Sequence, residues 1–97
     1  MLINHHVEKT EILRQLMAEL SWKENAAATS ARNLSAKAIW LGFDREETFA
    51  LVQKYPGADY VRKNPHLFWQ AWNMAEMMSD PNRYFSEPEQ ILLYAFN

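Results

Sequence analysis

Glycine is almost missing from this 97-residue chain, with Gly42 and Gly57 as its only two, against a usual share of about 7%. Tight β-hairpins draw on Asn-Gly and Asp-Gly pairs, and neither pair occurs. The chain therefore reads as helical, divided by helix-capping residues rather than by hairpin turns. The expected fold is all-α, a compact bundle of about five short helices. It forms one domain over residues 1–97, with residues 1–5 expected to be disordered.

From His6 to Leu20, residues placed at 100° intervals gather Ile12, Leu13, Leu16, Met17 and Leu20 into one stripe, the pattern of an amphipathic helix. Ser21 with Glu24 has the form of a capping box, so a second helix is expected to start there and to run to Leu41. Its inward stripe is Ala27, Ala28, Ala31, Leu34, Ala38, Ile39 and Leu41. Gly42 suits the left-handed residue just past a helix end, and Asp44 with Glu47 repeats the capping box for a third helix, Arg45 to Tyr55. That helix turns Thr48, Phe49, Leu51, Val52 and Tyr55 inward.

Pro56-Gly57 breaks the chain, and a short connection, Ala58 to Lys63, follows. Asn64 before Pro65 reads as an N-cap with proline at the first helical position, opening a fourth helix to Ser79. Its expected buried arc is Leu67, Phe68, Ala71, Trp72, Met74, Ala75 and Met78. Ser86 with Glu89 is a further capping box, ahead of Ile91-Leu92-Leu93-Tyr94-Ala95-Phe96. Six residues apolar on every side fit a short buried helix or a strand, and the cap favours the helix.

A composition 48% apolar, with four Trp, is far from the profile of disorder. The net charge of −2 supplies no overall field towards nucleic acid or an anionic membrane. No run approaches the roughly 20 apolar residues of a membrane span, and the N-terminus lacks the pattern of an export signal. With no cysteine present, these features point to a cytoplasmic protein with no membrane partner.

Catalytic machinery is not legible. Without cysteine there is no thiolate zinc site and no cysteine nucleophile. His5, His6 and His66 come without HExxH or comparable ligand spacing, and His5-His6 lies near a terminus expected to fray. Adjacent Glu46 and Glu47 point about 100° apart on a helix and do not face each other. Neither glycine belongs to a phosphate-cradling cluster. The expectation is a protein that is not an enzyme, with no metal and no cofactor.

Residues 34–53, helix then Gly42 turn then helix, have the outline of a helix-turn-helix corner. A recognition helix, however, offers its first residues to bases and phosphates. Here they read Asp44-Arg45-Glu46-Glu47, and carboxylates repel a phosphate backbone. A DNA-binding regulator using 34–53 is thus the second reading, with nucleic acid disfavoured.

The first reading comes from residues that break the helical pattern. Trp69 and Met77 fall opposite the buried arc of the fourth helix, and Trp40 falls among Arg32, Asn33 and Lys37 rather than with the alanines. Trp is a large anchor with little rotamer entropy to lose, and Met adapts to a partner's shape. Trp40, Trp69 and Met77 are therefore the candidate protein-binding residues of a small interaction module. Such a module acts as an adaptor, regulator or inhibitor of a partner protein, or binds a second copy as a homodimer. The competing expectation is that Trp69 and Met77 meet the C-terminal segment or the Ala58–Lys63 connection within the fold.

Overall fold

The computed structural model describes residues 5–79. Among them are five α-helices and no strand, so the fold is all-α: α1 (His5–Glu19), α2 (Ala27–Leu41), α3 (Arg45–Lys54), α4 (Asp59–Lys63) and α5 (His66–Ser79). The expected disorder of residues 1–5 falls outside the described residues except for His5, which opens α1. The expected C-terminal helix also lies outside them. The fifth observed helix is instead α4, which occupies the stretch read as a plain connection.

The corner between α1 and α2 corrects the sequence reading. Ser21 caps no helix, and α2 begins only at Ala27, with no side-chain cap at Ala26. Burial of Trp22 wins over the local capping signal. Its side chain is buried and its indole N–H donates to the Met17 carbonyl at 2.8 Å. That carbonyl belongs to the last turn of α1, where no intrahelical donor remains. The Ser30 hydroxyl donates to the Ser21 carbonyl, fastening α2 to the same corner.

α2 is the central element, and both α1 and α5 pack on it. Its fully buried apolar side chains, Ala27, Ala31, Leu34 and Ala38, follow one helical stripe. Facing α2, α5 buries Phe68, Ala71, Trp72 and Ala75. Alanines on both buried sides allow the two helices to approach closely. Leu13 and Met17 of α1 complete the core on α2, and Val52, Ala58 and Val61 extend it beneath α3 and α4.

Gly42 ends α2 as expected, at φ 92°. Its N–H bonds to the Ile39 carbonyl at 3.0 Å and that of Phe43 to the Ala38 carbonyl at 2.9 Å, the paired bonds of a Schellman motif. Phe43 turns inward and is buried. The Asp44 capping box forms in full, with Glu47 N–H on Asp44 Oδ1 at 2.8 Å and Asp44 N–H on Glu47 Oε1 at 3.1 Å. α3 stops one residue short of Tyr55, because the residue before a proline is driven out of the helical region.

At the next corner Arg62 donates to the carbonyls of Tyr55 and Pro56 and pairs with Asp59. Asn64 differs from its expected capping role. Its side-chain amide donates back to the Tyr60 carbonyl at 2.8 Å, closing α4, while its backbone carbonyl receives the Leu67 N–H at 3.0 Å.

Candidate interaction surface

The three residues singled out by pattern occupy different settings. Trp40, near the end of α2, is 75% exposed. The Lys37 ammonium, one turn back, sits 4.4 Å from its ring centroid, a cation–π contact that orients the ring without covering it. Met77, on α5, is 44% exposed.

Trp69 is half-buried and packs against the core. Its ring centroid lies 4.6 Å from that of Phe49 and 5.1 Å from that of Phe68, and the Arg45 guanidinium stands 5.6 Å away. α3 therefore covers part of Trp69; the C-terminal segment, which the competing expectation named beside the Ala58–Lys63 connection, lies outside the described residues. No described contact joins Trp40, Trp69 and Met77 into one patch.

A different surface does come together. Three residues expected in buried stripes are exposed: Met74 at 46%, Met78 at 68% and Ile12 at 41%. Ala28, also expected inside, is exposed. Met74 and Met78 stand along one side of the outer face of α2, and Leu16 of α1 with Leu20 just past its end along the other. Between them Asn33 and Ala36 form the floor shared by both sides. The result is a shallow trough, with Lys37 and Trp40 at one end and Ser79, the last residue of α5, on its rim.

Helical geometry explains why the trough exists. Thr29, Asn33, Ala36, Lys37 and Trp40 recur at three- and four-residue steps on one face of α2. That face lies away from Ala31, Leu34 and Ala38, so it stays outside when α1 and α5 close on the buried stripe. From Thr29 to Ala36 its side chains are short. The Arg32 guanidinium lies across the α5 side, 3.4 Å from Thr29 Oγ1 and 3.6 Å from Met74 Sδ. The trough's charged side chains, Arg32 and Lys37, are both basic.

The corner at residues 34–53 has the helix–turn–helix order, but its leading edge is acidic. Asp44, Glu46 and Glu47 are all exposed at the start of α3. Asp44 and Glu47 are engaged in the capping box, and Arg45 Nε binds Glu46 Oε1 at 3.0 Å. Arg62, at the following corner, is held by backbone carbonyls and Asp59. Among the described residues no cluster of His, Cys, Asp or Glu is arranged to hold a metal ion, and no helix is long and apolar enough to cross a membrane.

No known protein family, curated protein or solved structure matches the chain.

Proposed function

We propose that this chain works by binding another protein, as a small non-enzymatic adaptor, regulator or inhibitor. The observation that carries the reading is Trp40, 75% exposed at the end of an apolar trough walled by Leu16, Leu20, Met74 and Met78. Tryptophan and methionine are enriched at recognition surfaces, and contiguous apolar patches on a folded surface commonly mark binding sites. Met77 belongs to the same helix as the methionine wall. Trp69, engaged with Phe49 and Arg45, contributes at most an edge.

The acidic start of α3 argues for a protein partner over DNA, since three carboxylates would face the phosphates. The test is capture from the source lysate on the tagged full chain, with and without nuclease, beside the Trp40→Ala variant. The expected result is a stoichiometric protein that survives nuclease and is lost with Trp40→Ala while the far-ultraviolet circular dichroism stays unchanged. Capture indifferent to Trp40→Ala, or recovery of nucleic acid with protein lost after nuclease, would overturn the reading.

A further inference from the structure

We propose that the trough takes an acidic amphipathic helix of the partner protein, its apolar stripe laid along α2 and its carboxylates on both borders of that stripe. This names the partner's chemistry and rests on the interaction reading above.

Charge carries the choice. The chain as a whole has a net charge of −2, yet the charged side chains lining the trough are Arg32 and Lys37. They stand on opposite sides. Arg32 lies on the α5 side, against Met74 Sδ and Thr29 Oγ1, and Lys37 on the α1 side, with Leu16 and Leu20. Neither pairs with a carboxylate among the described residues, whose ion pairs, Arg14–Glu11, Arg45–Glu46 and Arg62–Asp59, lie elsewhere. Lys37 instead faces the Trp40 ring. The trough thus has an apolar middle with a cation on each border. Its complement has an apolar middle with an anion on each border.

An amphipathic helix has that layout, with the stripe at i, i+3, i+4 and i+7 and polar positions beside it. An added β-strand does not fit, since no strand occurs among the described residues and no sheet edge is there to extend. Shape agrees. The outer face of α2 from Thr29 to Trp40 covers about 17 Å, or about three helical turns. Asn33 and Ala36 in the floor are short enough for a second helix to approach closely. Met74 and Met78 adapt to the side chains of the stripe, and Trp40 offers its ring at the end of the track.

The experiment titrates the full chain with synthetic stapled helices of about 15 residues, read by methyl shifts of Ala36, Met74 and Met78. One peptide carries a Leu stripe bordered on both sides by Glu; the second has Lys in place of Glu; the third scrambles the first. The Glu peptide is expected to bind about tenfold more tightly than the Lys peptide at low salt, with the ratio shrinking as salt is added. The double variant Arg32→Glu with Lys37→Glu, its circular dichroism unchanged, is expected to reverse that preference. Equal binding of the Glu and Lys peptides to the parent chain, equal binding of the scrambled peptide, or shifts confined to other faces would overturn the proposal. So would trough shifts that move on diluting the chain alone, which assign this face to a second copy. Trp40-dependent capture of a partner without the Glu preference would sink the acidic helix and leave the interaction reading standing. The Glu preference without any Trp40-dependent capture would do the reverse.

Discussion

Trp22 and Trp40 show how little a residue's type decides its role. Both are aromatic and both carry an indole N–H. Trp22 is buried with its N–H on the Met17 carbonyl, while Trp40 stands 75% exposed beside Lys37. Trp40→Ala should therefore leave stability within about 0.5 kcal/mol of the parent, as surface changes away from caps and cores do, with denaturant midpoints as the check. Ser35 makes the complementary case. It is fully buried, and its hydroxyl has no hydrogen-bond partner among the described residues. An unpaired buried hydroxyl costs free energy, and removing it relieves that cost. Ser35→Ala, which also substitutes the better helix former, is expected to raise stability by about 1 kcal/mol in urea unfolding; a loss of that size would mean that the hydroxyl is paired.

At the scale of elements, the segments whose ends are set by local chemistry were legible. α3 begins where Asp44 and Glu47 close their reciprocal bonds, and α2 ends where Gly42 takes its left-handed turn. Asp44→Ala removes the cap on the Glu47 N–H and should cost about 1 kcal/mol, measured by thermal unfolding. Restoring the cap with Asp44→Asn should recover most of the loss. Where two signals competed, the local one lost. Ser21 and Glu24 have capping-box spacing, yet the helix waits until Ala27 because Trp22 is drawn into the core. α4 was missed because five residues between Ala58 and Asn64 are too short to show a helical period. It is held by Arg62 against the preceding corner.

At the scale of the molecule, α2 binds the bundle together. Leu34 is fully buried at its centre, in a core that includes Leu13, Met17, Phe68 and Trp72. Leu34→Ala should destabilise by about 2–5 kcal/mol, enough to lower the denaturant midpoint markedly in a domain whose whole stability is of order 5–15 kcal/mol. Ala36→Leu, two residues on but in the trough floor, is expected to leave stability nearly unchanged and to weaken partner capture by filling the floor. Equal damage from both changes would show that Ala36 is part of the core and that no trough exists there.

The sequence by itself determined the all-α class, the Gly42 and Asp44 boundary and the stripe Ala27–Ala31–Leu34–Ala38, because scarce glycine, caps and the 3.6-residue period all act within a few neighbouring residues. It also marked Trp40 as out of place. Only the tertiary structure decided which faces of each helix are covered. α5 meets α2 through Phe68, Ala71, Trp72 and Ala75 and leaves Met74 and Met78 outside, while Phe49 from α3 closes over Trp69. Helical periodicity fixes the angle of a side chain about its own axis. Whether another element arrives at that angle depends on residues far away in the chain, and only the packing of the helices around α2 settles it.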